Sequence, residues 1–511
     1  MRLIIFLVVL LVSNTTFSQN NYGNTWVFGV TDITFKMSFS SGFPNISVYD
    51  TFPGPSLLVG NSNICDSNGI LILVSDGYSI YNAQADTIDG GYKLVPNELF
   101  NYYNGWSLSP QSSIFLPMGN AQYYFITPTA SDYEFLNHWI ALGQAAFDLL
   151  YYNIIDMKAN GGQGKVVKRK IPLIENVKMS KSQMMACRHG DGKSWWLLKQ
   201  AQDTNMVYSF LFTKDSVFGP FIQGFAEPHF PYDYIGQSVF SRDGTKFATT
   251  TLGAYKVIMA DFDRCSGVLS NPKVYDVPEE NAHNPNNPSE KDPYTNGLAF
   301  SPNGRFLYVA NRFNIQQLDL QDTNLNTAWV TVAGLDTSWD YFPTYSCLYL
   351  GPDDKLYLGY YSPLLGQMSY FNEPDKKGAA SGFCRHCLHF PGFYSQGNYF
   401  NYGVSTPPCM PNYKLGAANP ICWPVGVEEV PPQEEITVYP NPFEATLIIK
   451  CSHVQNKTFY LYDSFGKLIL TKTITENKEQ INTANLAAGL YFYSIINKNG
   501  ERVKAGKVVK E

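Results

Sequence analysis

The feature that most limits what this chain can become is a strand–turn–strand pattern that recurs through its middle. VFSRDGTKFATTT (Val239–Thr251) and AFSPNGRFLYVAN (Ala299–Asn311) share an apolar pair, a Ser, a polar turn closing on Gly, a basic residue and an alternating strand. Looser copies are YLGPDDKLYLGYY from Tyr349, ICDSNGILILVSD from Ile64, FLPMGNAQYYFIT from Phe115 and ACRHGDGKSWWLLK from Ala186. Aligned on the last turn residue, the copies place anchors at Gly69, Gly119, Gly192, Gly244, Gly304 and Asp354, at steps of 50, 73, 52, 60 and 50 residues. Glycine in such a turn supplies the positive φ that a short hairpin loop demands. Pro302 and Pro352 sit where a fixed φ suits the start of a turn.

One hairpin cannot bury its own face. Radial stacking of such units buries it and leaves only short edges. A step near 50 residues suits a four-stranded blade of about 40 to 50 residues. The expectation is therefore an all-β chain: a seven-bladed β-propeller over residues 20–405, with six or eight blades as alternatives. TWVFGVTDITFKMSF, from Thr25, and the Cys384–Tyr402 stretch are expected to complete the seventh blade. The 73-residue step holds SDYEFLNHWIALGQAAFDLLYYNIIDMKANGGQGKV, read as an insertion followed by two strands. Composition agrees. At 511 residues the chain exceeds one ordinary core. Aromatics at 15% favour strands, and 40 Gly with 31 Pro supply turns. A net charge of -6 argues against a nucleic-acid partner, which needs a basic surface.

Leu3–Val12 is an apolar run of ten residues behind Arg2, half the length of a membrane span of about 20. Thr16 and Ser18 are small residues at the -3 and -1 positions of a cut before Gln19. Residues 1–18 are read as a signal peptide. The first cysteine is Cys65, so a lipid anchor at the cut is not expected, and no other apolar run approaches a transmembrane length. Export permits disulfides. Nine cysteines are present; Cys409 and Cys422 flank CMPNYKLGAANPIC and are the expected pair, a closure worth about 3 kcal/mol.

Residues 406–435 read as a connector ending in the acidic, Pro-bearing VEEVPPQEE, extended and solvated. Strand grammar restarts at VYPNPFEATLIIK (Val438–Lys450). Pro440 and Pro442 bar helix and force an extended turn. TFYLYDSFGKLILTKTI reads as a hairpin turning at Ser464–Gly466, and further turns fall at Gly489 and Asn499–Gly500. Residues 436–511 thus form a small antiparallel β-sandwich of about seven strands. It carries ten Lys plus Arg against six Asp plus Glu.

Two resemblances follow from these residues. WVFG at Trp26, ICDSNGILILVSDGYSIYN at Ile64, YYNIIDMKANGGQGKVV at Tyr151, FSRDGTKFA at Phe240, DFDRCSGVLSNP at Asp261 and FSPNGRFLYVAN at Phe300 resemble bacterial WD40-like and lactonase-like β-propellers. The Trp-Asp ending of WD40 blades does not recur. YPNP (Tyr439, Pro440, Asn441, Pro442), LYDSFGKLI with Asp463 and Gly466, NLAAGLYFYSI with Gly489 and Tyr491, and KVVK from Lys507 resemble the type A C-terminal sorting domain of the type IX (Por) secretion system. That resemblance implies passage of the inner membrane by the signal peptide. An outer-membrane translocon then acts as the partner that reads the module, and the protein is released or held at the cell surface.

Chemistry is harder to find. Cys384, His386, Cys387 and His389 in CRHCLHF are the metal candidates. Alternation along a strand divides them between two faces, so a disulfide or packing is the favoured reading. GWSLSP around Ser107 lacks the second Gly of a nucleophile elbow. HExxH, phosphate-loop and dinucleotide motifs are absent, and no catalytic residue or cofactor is assigned. Asp261 and Asp263 in DFDRCSG lack later calcium ligands and are expected to cap a turn. YDYIGQSVF and SWDYFPTYSC could stack on sugars, with packing the plainer reading. The favoured function is a secreted or surface-held, non-enzymatic scaffold that binds protein or glycan. An extracellular hydrolase or lactonase-like enzyme working in the propeller channel is the alternative, and a structural part of a surface assembly the third.

Overall fold

The computed structural model describes residues 21–511 except 31–32, 40–41, 50–55, 58, 106, 108, 142–145, 203, 225–235, 251–254, 279–282, 285–286, 292–294, 335–344, 361–366, 392–405, 420–421, 423–435, 452–456, 464–467 and 498–501. The signal-peptide reading and the turns at Ser464–Gly466 and Asn499–Gly500 lie outside these residues. The chain divides into two compact units, Met1–Trp423 and Pro424–Glu511.

The first unit is all-β. Its first sheet has strands Thr25–Val30, Ile33–Ser38 and Asn45–Val48, and its second Ser62–Cys65, Leu71–Ser75 and Ile80–Asn82. A third, seven-stranded sheet runs from Ile114–Gly119 to Val217–Gly224. Four-stranded fourth, fifth and sixth sheets span Ser238–Asp276, Thr295–Gly334 and Tyr345–His389. Each pairs neighbours in chain order and antiparallel, as expected of chained hairpins.

All six anchors adopt positive φ, from 65° at Asp354 to 90° at Gly69. The reason for the repeated Ser and Asp/Asn is local. Ser241 Oγ donates to Asp243 at 2.6 Å and accepts from the Lys246 N–H at 3.0 Å. Ser301 and Asn303 repeat both bonds. These side chains wrap the turn and hold the hairpin register.

The long step is explained by Lys165–Arg188. This 24-residue strand pairs with Phe147–Asp156 over its first part and with Trp195–Ala201 over its second. The partner changes at Met179, where the register shifts before Met184. The sheet therefore consists of two four-stranded halves sharing one kinked strand. Lys199, fully buried, holds the kink by donating to the carbonyl of Ser180 at 2.6 Å and to that of Ser182. Burial pushes its ammonium well below the usual lysine range.

Apolar clusters join the sheets in sequence. Val27 of the first sheet packs with Leu71 and Val74 of the second. Ile64 and Leu73 join the third through Phe115, Leu197 and Phe210. Trp196 and Leu198 meet Ile258 of the fourth; Val257 and Met259 meet Leu307 of the fifth; Tyr308 meets Leu358 of the sixth. The sixth returns to the first through Tyr357, Met368, Trp26 and Phe35. At that seam Trp26 meets Tyr357 edge-on at 5.3 Å and Phe390 meets Phe28 at 5.3 Å.

This corrects one expectation. Phe383–His389, with Cys384, pairs with Gln367–Phe371 as the outer strand of the sixth sheet, not with the Thr25 strand. The Thr25 strand instead pairs with Ile33–Ser38. Residues 392–402 of the stretch lie outside the description.

The described connector residues lace across the turns of this ring. Cys409 N–H donates to Asn61 O at 2.9 Å, Tyr413 hydroxyl to Phe115 O at 2.8 Å, Asn412 to Arg242 O at 2.8 Å and Lys414 to Pro352 O at 3.1 Å. Arg188, stacked at 3.9 Å on Trp195, donates to Tyr413 O, and Arg264 donates to Gly416 O. The expected Cys409–Cys422 pairing is overturned. Cys422 bonds Cys265 across 157 residues, with Cα atoms 5.4 Å apart, and Cys409 is a buried free thiol. The intervening chain runs away from Cys409 toward Gly190, where a Cβ would lie 1.8 Å from the Cys422 sulfur.

The second unit has two antiparallel sheets. One orders Ile436–Tyr439, Thr446–Cys451 and Lys478–Asn482; the other Leu468–Ile474, Lys457–Tyr462, Gly489–Ile496 and Arg502–Lys510. Alternate residues Leu447, Ile449, Phe459, Leu461, Tyr493 and Ile495 enclose one core.

Two outcomes are expected. Gly244→Ala meets Cys187 and Leu415 at 2.7 and 2.8 Å, whereas Gly304→Ala meets nothing within 4 Å at nearly the same φ. Urea midpoints should show Gly304→Ala losing about 1 kcal/mol from backbone strain and Gly244→Ala about 1–3 kcal/mol more from overpacking. Cys422→Ser should lose about 5 kcal/mol, as a closed loop of 157 residues implies, while Cys409→Ser leaves the bridge intact by thiol titration of the unfolded chain.

Candidate functional site

The innermost strands converge on a cavity of about 140 Å³. Trp26, Met185, Val239, Phe300 and Leu348 line it, each from a different sheet, and Pro408–Leu415 of the connector form one wall. Gln237, fully buried, ties three sheets around it. Its amide donates to Leu348 O at 2.6 Å, and its carbonyl accepts from the N–H groups of Leu298 and Leu348 at 2.8 and 3.0 Å. These bonds replace the water that inner-strand peptide groups would otherwise need.

The cavity is poorly suited to nucleophilic or acid–base work. Burial pushes the Cys187 thiol up to about 12 and the Tyr349 phenol well above its usual range, so both keep their protons near neutrality. Arg242 and Asp354 on the lining pair with each other. The space suits a small apolar group or a few waters.

The metal candidates do not converge. Cys384 and Cys387 form a disulfide with Cα atoms 5.6 Å apart, which removes both thiolates. The His386 backbone N–H donates to Ser369 Oγ at 2.8 Å and its ring lies 5.5 Å from that of Tyr360, while His389 is exposed. Among the described residues, no group of three or more His, Cys, Asp or Glu is placed to hold a metal. Asp263 caps its turn, accepting from Cys265 N–H at 2.8 Å and Ser266 Oγ at 2.7 Å; Asp261 pairs with Lys246 at 3.0 Å. Ser107 is buried against Ser112 at 2.7 Å. Much of the two aromatic-rich stretches lies outside the described residues. Among those residues, no helix is long and apolar enough to cross a membrane.

The second unit brings its landmarks together. Asn441 stands between Pro440 and Pro442, neither of which has an N–H to give a ladder. Its side chain takes that place along the edge of Arg502–Lys510. The amide donates to Lys507 O at 3.2 Å and the carbonyl accepts from Val509 N–H at 2.8 Å. Main-chain pairing resumes at Phe443, whose N–H donates to Val509 O at 2.8 Å and whose carbonyl accepts from Glu511 N–H at 3.0 Å. Phe443 is buried beside Tyr491, ring centroids 6.2 Å apart, and Tyr491 hydroxyl donates to Ala487 O at 2.9 Å. Gly489 takes φ 153° at the entry of its strand, and Asp463 sits just beyond Tyr462. Gly466 lies outside the description. YPNP and KVVK are separate landmarks in the sequence; the signal that joins them is an Asn bracketed by two residues unable to donate.

No curated protein matches the chain. Solved structures similar to it include a proposed 6-phosphogluconolactonase from Bacteroides fragilis, at 13% identity and TM-score 0.41, covering 69% of this chain and 91% of that one. Another is PorZ of Porphyromonas gingivalis, a surface component of the type IX secretion system, at 10% identity and TM-score 0.31, covering 96% and 74%. A Lactobacillus plantarum protein follows at 12% identity and TM-score 0.38, covering 89% and 98%. At these identities the likeness says nothing of substrate. Residues 437–511 match the secretion system C-terminal sorting domain, and the second unit is therefore a sorting module of that family.

Proposed function

We propose that this chain is a secreted or cell-surface β-propeller, carried by the type IX secretion system and acting as a binding scaffold for protein or glycan. The observation that carries the export reading is the sorting-domain match over residues 437–511. In this reading residues 1–18 are a signal peptide cut near Ser18, residues 20–405 the propeller, 406–435 its connector and linker, and 436–511 a β-sandwich read by the translocon. Support for seven blades comes from the cyclic order of the apolar clusters. Among the described residues of the first unit, the six sheets of three or more strands, one of them kinked into two halves, give seven neighbours around the ring.

Support for a scaffold rather than an enzyme comes from the duties of the buried ionisable groups. Lys199 holds a strand kink. His189 hydrogen-bonds Cys265 O and the Asp191 N–H, each at 3.0 Å. Asp76 holds its own turn, accepting from the N–H groups of Tyr78 and Ser79 at 2.8 and 2.7 Å and from Tyr81 hydroxyl at 2.9 Å. Burial raises the Asp76 carboxyl to about 7 against the pull of those donors.

Two measurements test this reading. Deleting residues 436–511 should leave the protein inside the outer envelope; undiminished appearance outside overturns the export reading. The purified first unit should bind glycan or protein on arrays and turn over no lactone or glycoside in a panel; turnover would favour the enzyme alternative. Asp76 yields a separate expectation. Its folded pKa is raised, so its contribution to stability is complete below about 4, is lost as pH rises through about 7, and is flat above that. Asp76→Asn keeps the acceptor for Tyr78 and Ser79. Denaturation from pH 4 to 8 should show wild type losing stability relative to the variant, with a slope approaching about one proton; parallel curves would contradict it.

A further inference from the structure

On the export reading above, the structure assigns to the sorting module one composite recognition surface, with Asn441 as the residue that positions it. The surface joins Tyr439–Pro442, at the start of the module, to Lys507–Val509, nearly seventy residues later. The join is made by the Asn441 side chain and by Phe443, which seat the first segment along the edge of Arg502–Lys510. Without Asn441, the two prolines would leave Lys507 O and Val509 N–H unpaired on an exposed strand edge.

The outer face of the same sheet continues the surface. Cross-strand partners share a face, so Leu468, Tyr462, Phe492 and Lys507 form one row, and Leu490 and Val509 form the next pair. Phe492 is 43% exposed, Leu490 and Val509 39% each, and Tyr439 37%. Single exposed apolar residues are ordinary; four on one face, Leu468, Leu490, Phe492 and Val509, beside the motif residues, form a patch with a use. Lys507 stands, exposed, at the end of the row. The module as a whole carries ten basic against six acidic residues. The occupant that fits is an acidic protein surface of the export machinery with an apolar centre, in which carboxylates meet Lys507 and an apolar slot takes Phe492 and Val509.

The test uses the full chain in its own host, reading the fraction outside the cell. Asn441→Ala and Lys507→Glu should each cut export about tenfold, and the double variant should cut it no further, because both act on one contact. Lys507→Arg should keep export. Glu479→Ala provides the control for stability. Glu479 stands on the other sheet, in Lys478–Asn482; the change removes its bonds from Thr475 and Lys472 and should keep export even where the melting temperature falls as far as that of Asn441→Ala. Multiplying effects of Asn441→Ala and Lys507→Glu, or export that follows melting temperature whatever the site, overturns the composite surface. So does a wild-type dimer that either variant turns into a monomer, since the face would then belong to a second copy. Deletion of 436–511 separates the two levels. If the deletion abolishes export but the point variants do not, the inference fails and the export reading stands; if the deletion has no effect, the export reading itself fails.

Discussion

Everything in the first unit depends on side-chain packing between neighbouring sheets. A three- or four-stranded antiparallel sheet leaves two faces open, and hydrogen bonds within it cannot hide them. Here each sheet presents one apolar face to the sheet before it and one to the sheet after. The chain of contacts closes where Trp26, Phe28 and Phe35 meet Tyr357, Met368 and Phe390. Burial of an aromatic ring of this size contributes about 2–3 kcal/mol, and edge-to-face pairing adds about 0.5–1.5 kcal/mol per pair. The seam is thus held by a few rings from residues more than three hundred apart in sequence. That closure joins the most distant parts of the unit and carries the largest cost in loop entropy, whereas the hairpins are local and cheap to close.

The hairpins were legible because their determinants are local. A Ser, an Asp or Asn and a Gly within four residues wrap a turn, and no distant partner is needed to predict it. Asp354 shows the limit of the Gly rule, since an Asp at φ 65° serves the same place. The closure was misread because it depends on which strands pair at a distance, and Phe383–His389 looked as able to join the Thr25 strand as the sixth sheet. The same holds for cysteines. Proximity in sequence favoured Cys409 for Cys422, but the connector travels across several sheets before reaching Cys265. Nothing near Gly190 in the sequence announced that its missing side chain was room for a disulfide.

The candidate site was legible to a different degree in each unit. In the sorting module, motif residues spaced far apart were recognisable as a set, though their meeting along one strand edge was not. In the ring, the roles of Gln237, Lys199 and Arg188 are not written in any motif, although Arg188 and Lys199 fall within one copy of the repeat. Their importance lies in main-chain carbonyls and N–H groups that only the folded chain brings to them. Buried polar groups of this kind are satisfied almost without exception in folded proteins, yet the partner is chosen by topology rather than by neighbours in sequence.

The Cys265–Cys422 bridge also fixes how the protein answers to mechanical load. A pull applied to the chain beyond Cys422 enters the ring through a covalent bond to the turn that ends the Lys256–Phe262 strand. The hydrogen bonds of the connector before Cys422 are bypassed, so they need not unzip one after another.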